Sequence, residues 1–269
     1  MQSSNMGTFP DADPVSDVLI DLPPMTARSV LASALLGEDP PELPVAHLVL
    51  LAELFGINPN RSRVALSRMV ASGEATTDGA ATYRLAGRLI ERRDRQGDSL
   101  AGRTRDWNGC WRMVVVTVAG SSAELRAARR HRLQLARLAE QREGVWLRPD
   151  NIDLRPSPGD DPDLTTYDVS PDDDPVALAA VLWDLDGWAA RAGALITALE
   201  HRPTGGPDDL APGFTLSAAV LRHLQSDPLL PIELVPDGWP APILRATYAE
   251  WDRRYRDVLR AWGRAAQAT

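Results

Sequence analysis

The chain has 269 residues, 44% of them hydrophobic and 25% charged, with a formal net charge of −8 and one cysteine, Cys110. That length predicts two or three domains, and the composition is that of an ordinary globular protein. One cysteine excludes an internal disulfide framework and a multi-cysteine metal site. No apolar run reaches the roughly 18 residues of a membrane span. The acids Asp11, Asp13, Asp17 and Asp21 give the N-terminus the wrong sign for a signal peptide. A cytoplasmic protein is expected.

The charge is unevenly distributed. Residues 1–25 carry four acids and no base, residues 26–142 carry 18 Arg against 12 acids, and residues 143–269 carry 11 Arg against 21 acids. Salt screens charges beyond about 8–10 Å, so local balance governs contact. The N-terminal half can meet a polyanion and the C-terminal half repels one. Every basic residue is Arg, as expected of a GC-rich genome, so arginine content alone says little about phosphate recognition.

Residues 1–25, with four prolines, read as a disordered acidic tail. Thr26 caps a first helix through Leu36, which Gly37 ends. Pro40, Pro41 and Pro44 mark a loop, with Pro44 in the first turn of a second helix that carries Leu48, Leu51 and Leu54. Asn58 caps and Pro59 opens a third helix, which reaches about Ser72 before Gly73. Residues 74–86 read as a hairpin, Ala75-Thr76-Thr77 and Thr82-Tyr83-Arg84-Leu85 about a turn at Asp78-Gly79. Three helices followed by a hairpin are in winged-helix order.

An Arg-rich helix from Leu85 to about Gln96 leads into a linker at 97–106. The β-branched run Trp111 to Val118 predicts a buried strand. Gly120-Ser121-Ser122 opens a helix to about Gln141, followed by strands at Val145–Arg148 and Leu164–Val169 and a polar loop at 156–163. This order suggests a ferredoxin-like unit. From Pro175 the pattern is helical, broken by loops at 203–213 and 228–242. The expected architecture is α+β, with a winged helix-turn-helix at 26–96, a ferredoxin-like middle domain at 107–172 and a helical C-terminal domain at 173–269.

At 100° per residue the third helix has two faces. Ser62, Leu66, Met69 and Val70 gather on one. Asn60, Arg61, Val64, Ser67, Arg68 and Ala71 lie opposite, with Arg63 at the edge. Arginine suits guanine edges or phosphate, and Asn and Ser suit base edges or backbone oxygens. A lone helix of this kind is most often just a solvated amphipathic helix. Its position third in a winged-helix order favours nucleic-acid contact through Asn60, Arg61, Arg63, Ser67 and Arg68. Thr76, Thr77, Tyr83 and Arg84 are wing candidates for phosphate, although any exposed hairpin alternates polar residues. The stretch carrying Arg126, Arg129 and Arg130 reads first as a solvated face and second as a site for a phosphate-bearing ligand. His47, His201 and His223 have no carboxylate or Cys at ligand spacing, so no metal site is proposed, and no phosphate-loop, dinucleotide or nucleophile-elbow motif points to a cofactor or an enzyme.

Three anchors resemble the phenylacetic-acid degradation repressor family of PaaX type, over about residues 26–262. They are Arg63-Val64-Ala65-Leu66-Ser67-Arg68-Met69-Val70 in the third helix, the strand opening at Trp107, Gly109 and Trp111 with the later Gly144-Val145-Trp146-Leu147-Arg148-Pro149, and a C-terminal signature. The last runs through Asp227-Pro228-Leu229-Leu230-Pro231, Leu234, Pro236, Gly238-Trp239-Pro240 and Tyr248. The resemblance implies a winged helix, a middle domain similar to the Cas2 nucleases, and a helical C-terminal domain. It further implies a dimeric repressor of aromatic-acid catabolism, bound to a double-stranded operator and released by an aryl-acyl-CoA thioester. Two departures stand out. Glu74-Ala75 follows Gly73 where the family places a large apolar residue, so a differently packed wing is expected. The strand ending Val116-Thr117-Val118 lacks the acid that holds a divalent metal in Cas2 nucleases; nuclease chemistry on this domain, the alternative reading, is therefore not expected.

Overall fold

A computed structural model describes residues 25–79, 81–118, 120–154, 157–202 and 206–267. The expected acidic tail falls outside the described residues. The chain divides into two compact units, one of residues 1–93, 193–220 and 246–269, the other of residues 94–192 and 221–245.

The first unit begins with helix α1 (Ala27–Leu36). Its cap is reciprocal: the Ser29 amide donates to Thr26 Oγ1 at 3.2 Å, and the Thr26 amide donates to Ser29 Oγ at 2.8 Å. Strand β1 (Glu42–Pro44), helix α2 (Val45–Glu53), helix α3 (Pro59–Ala71), and strands β2 (Ala75–Thr77) and β3 (Thr82–Leu85) follow. The sheet order is β1-β3-β2, antiparallel throughout, with Glu42 and Thr76 flanking Arg84 from either side. Strand β1 lies where the sequence reads as a proline loop, because a three-residue strand draws its order from β3 and shows no alternation of its own. Val30, Leu31, Leu35, Leu48, Leu66 and Met69, all buried, form the interior. The same unit holds the second half of helix α7 (Leu185–His201), most of helix α8 (Leu210–Gln225) and most of helix α9 (Ala241–Gln267). Helix α8 begins inside the expected 203–213 loop. Pro212 sits in its first turn, where no amide bond is lost, and a Cβ on Gly213 would stand 2.5 Å from the Tyr255 ring. Those two residues read as loop formers but serve a helix start and a close packing contact.

The second unit contains the end of helix α4 (Arg88–Ala101), strand β4 (Trp111–Val116), helix α5 (Ala123–Leu135), strands β5 (Ala139–Arg142), β6 (Val145–Pro149) and β7 (Leu164–Val169), and helix α6 (Pro175–Leu182). The antiparallel sheet runs β5-β6-β4-β7. Strand β6 is inserted between the two strands that α5 connects, which is the split βαβ arrangement of a ferredoxin-like fold. A single 3-10 turn, Pro158–Asp160, lies between β6 and β7.

Both faces of this sheet are covered. Trp111, Met113, Leu147 and Val169 pack with Leu178, Ala179, Leu185 and Leu234 on one side. Val114 and Trp146 pack with Leu133, Ala136 and Leu138 on the other. That explains why β4 reads as a continuous apolar run.

The ends of two helices also differ from the sequence reading. Helix α4 continues to Ala101, into the expected linker, where Ser99 is buried rather than solvated. Helix α5 stops at Leu135 and not near Gln141. Arg137 takes a left-handed φ of 61°, and the Leu138 amide donates back to the Leu133 carbonyl at 3.0 Å, so the chain turns into β5 without a glycine to announce it.

Candidate nucleic-acid interface

Helix α3 is fixed at its start. Asn58 Oδ1 accepts from the Arg61 amide at 2.9 Å and Pro59 occupies the first turn, leaving the helix N-terminus with its positive dipole end ordered. Ser62, Leu66 and Met69 are buried, while Asn60, Arg61, Arg63, Val64, Ser67 and Arg68 are exposed. The predicted face is thus brought together on one side of one helix. Among the described residues Arg61, Arg63 and Arg68 have no ion-pair partner, so their guanidinium groups are uncommitted. Ser67 is partly engaged: its hydroxyl donates to the Arg63 carbonyl at 3.0 Å, which leaves its oxygen as an acceptor. Val64, 50% exposed in the middle of this face, is an apolar residue of the size that contacts a thymine methyl.

The wing candidates divide. Alternation along β2 and β3 puts Ala75, Thr77, Tyr83 and Leu85 on one face and Thr76 and Arg84 on the other. Ala75 and Leu85 are buried, so Thr77 and Tyr83 sit on the core-facing side near the tip, Thr77 exposed and Tyr83 half-buried. Thr76 and Arg84 form the outward row. Arg84 is not uncommitted, for its Nε donates to Glu42 Oε2 on the neighbouring strand.

Glu74 shows how the wing root is built. It is 1% exposed, just after α3, and receives Arg28 Nε at 2.8 Å from α1 and Arg88 Nε at 2.7 Å from α4. The hydrogen bond from Arg28 outweighs the desolvation cost, and with the Arg88 bond it holds the carboxyl down at about 2. At the root of the wing stands a buried carboxylate clamped by two arginines. A Cβ on Gly87 would stand 2.6 Å from the Gly73 carbonyl oxygen, so the chain leaving β3 passes against the end of α3 only without a side chain.

The arginines of α5, in the other unit, behave differently. Arg129 is buried against Asp163 at 2.7 Å, Arg130 pairs with Glu140 at 2.9 Å, Arg132 pairs with Asp161, and Arg126 donates to the Ser121 carbonyl. Arg126, Arg129 and Arg130 are thus each engaged within the fold.

Comparison with known families gives two matches: the PaaX-like protein model over residues 26–89 and the PaaX central Cas2-like domain over residues 104–155. The chain belongs to the PaaX-like family. Among solved structures it is similar to the uncharacterized protein Rv0674 from Mycobacterium tuberculosis, with 38% identity over 88% of this chain and 98% of that one and a TM-score of 0.69. No curated protein matches the chain. The family is one of transcriptional regulators, and the first matched segment holds α1 to β3, including the whole uncommitted face of α3. The second holds β4, α5, β5 and β6. Among the described residues no helix is long and apolar enough to cross a membrane.

Proposed function

We propose that this PaaX-like protein is a dimeric repressor that docks α3 into the major groove of a duplex operator in the cytoplasm. One observation carries the reading: a capped helix presents Asn60, Arg61, Arg63, Ser67 and Arg68 outward with its arginines uncommitted, third in a winged-helix order. Arg61 and Arg68 supply bidentate donors for guanine edges or phosphates, and Asn60 suits adenine or a backbone oxygen. Thr76 and the outward end of Arg84 reach the flanking phosphates once Glu42 exchanges its partner. Thr77 and Tyr83 contribute from the tip. Residues 26–96 form the operator-binding domain, while 107–172 and 173–269 provide dimerisation and effector response. A symmetric dimer then requires two half-sites about one helical turn, or a multiple, apart.

The regulated genes, on this reading, encode phenylacetate-type aromatic-acid catabolism, and an aryl-acyl-CoA thioester releases the repressor. Genomic fragments recovered with the tagged protein, followed by anisotropy titration on the enriched duplex with and without phenylacetyl-CoA, test both parts. Saturable binding that the thioester weakens supports the reading. Recovery of no enriched duplex sinks DNA binding, and an enriched duplex insensitive to the thioester sinks the effector assignment alone.

A further inference from the structure

A second basic site lies within the unit of residues 94–192 and 221–245, and none of its lining residues is a candidate position discussed above. It is a cleft of about 570 Å³, lined by the end of α4, the segment after it, the end of α5, the residues after β6, and the start of the loop after α8. That volume is in the range of small-molecule sites. Four arginines, Arg95, Arg103, Arg105 and Arg137, line it against two acids, Asp98 and Asp153. Arg105 is balanced by Asp150 at 3.2 Å and Asp153 at 3.0 Å. Arg103 is exposed and, among the described residues, has no ion-pair partner.

The floor is more unusual. Arg137 is held by the Ser99 hydroxyl at 2.8 Å and by the carbonyls of Gln225 and Asp227, and no carboxylate pairs with it among the described residues. Behind it Arg148 is completely buried and donates to the carbonyls of Pro149, Arg137, Pro228 and Leu229 and to Asn151 Oδ1 at 2.8 Å. Two adjacent guanidinium groups are thus held in place by neutral oxygens. Asp98, Asp150 and Asp227 act on the pair without an ion pair to either among the described residues, and an anion in the adjoining space would offset the remaining cost of burial. Leu135, Ala136, Ile152 and Leu229 give the same cleft an apolar wall for an organic moiety.

We propose that this cleft binds an organic phosphate, with Arg103 and Arg137 as the main anion contacts and Arg95 as a third. The site is the place where the effector of the proposed repressor would seat its phosphates, but its existence does not depend on DNA binding. Phosphate is favoured over a single carboxylate because arginines of α4, of the segment after it and of the turn after α5 all line the cleft, and a phosphate has oxygens enough to accept from more than one guanidinium.

The test is calorimetric titration of the full-length protein with inorganic pyrophosphate at low ionic strength. Expected is saturable binding with a dissociation constant in the millimolar range or tighter. Arg103→Ala should weaken it about ten-fold, the usual effect of removing one charge-assisted contact. Arg103 is exposed and has no ion-pair partner among the described residues, so that variant keeps the fold, which circular dichroism checks. Arg126→Ala and the pair Arg61→Ala/Arg68→Ala should leave the affinity within about two-fold. Absence of saturable binding overturns the proposal. So does unchanged affinity in Arg103→Ala, or an equal loss in Arg61→Ala/Arg68→Ala, which would assign the anion to α3. Loss of operator binding in a protein that still binds pyrophosphate would remove the DNA reading and leave this site standing.

Discussion

Helices α3 and α5 are both arginine-rich, and in the sequence they look equally suited to phosphate. In the fold they are opposites. The α3 arginines Arg61, Arg63 and Arg68 project from a helix whose other face is buried, and no acid within the described chain neutralises them. On α5, Arg129, Arg130 and Arg132 are each paired with Asp163, Glu140 or Asp161. A run of basic residues is informative only after the acids that face it are counted in space. A paired arginine must first leave its acid before a nucleic acid can use its donors.

The largest effect that can break this contrast is on DNA affinity. Arg61→Ala/Arg68→Ala should weaken duplex binding by about 30-fold or more, since each such contact is worth about 1–3 kcal/mol, while the melting temperature stays near that of the wild type. Arg126→Ala/Arg130→Ala should change DNA affinity by less than about two-fold. A comparable loss in the two double variants, by anisotropy, would dissolve the distinction.

Next is the clamp beneath the wing. Glu74→Ala leaves Arg28 and Arg88 without their shared partner and should cost about 1–3 kcal/mol in chemical denaturation, with operator binding reduced because the β2–β3 hairpin loses its root. The acid dependence has a definite sign. Glu74 is held at about 2 against an ordinary value of 4.5, so its contribution is fully present above about pH 5 and is lost as pH falls toward 2. Wild type should lose stability across that window, and Glu74→Gln should flatten the curve there. An identical pH profile in both proteins would show that the carboxylate is not the clamp.

A second pH effect is expected from His223, buried in the other unit. It stacks on Trp188 at 4.4 Å with Nε2 3.1 Å from the Trp188 carbonyl, and burial pushes it down to about 4. Because its folded value lies below the ordinary 6.5, its contribution is whole above that pH and declines between about pH 6.5 and 4. His223→Asn should remove that slope, read from melting temperatures across the interval. The smallest effect is at the wing, where Arg84→Ala should cost about two- to three-fold in DNA affinity, because that guanidinium must first leave Glu42.

How much of this the sequence disclosed depends on how local each signal is. Asn58, Pro59 and the 3.6-residue spacing of Ser62, Leu66 and Met69 lie within one helix, and so α3, its cap and its outward face were all legible. The β2–β3 hairpin was legible for the same reason. Strand β1 was not, since its order comes from pairing with Arg84 and its neighbours forty residues away. The end of α5 was hidden because a non-glycine residue, Arg137, adopts the left-handed conformation there. The basic cleft was illegible altogether: Arg95, Arg103, Arg137, Asn151 and Leu229 come from separate segments that only the fold brings together. Glu74 lay in between. Its departure from the family pattern was visible, but its two arginine partners were not.

On the proposed function, the uncommitted face of α3 binds DNA electrostatically and by base contact. The most direct measurement is anisotropy titration of one labelled duplex from about 50 to 200 mM salt, with wild type and Arg61→Ala/Arg68→Ala side by side. The wild type should lose affinity steeply, with log K falling linearly in log salt, and the variant should show a slope smaller by about 1 to 2, one counterion for each lost phosphate contact. A flat salt dependence for the wild type, or the same slope and affinity in the variant, would contradict the assignment of α3 as the DNA-reading element.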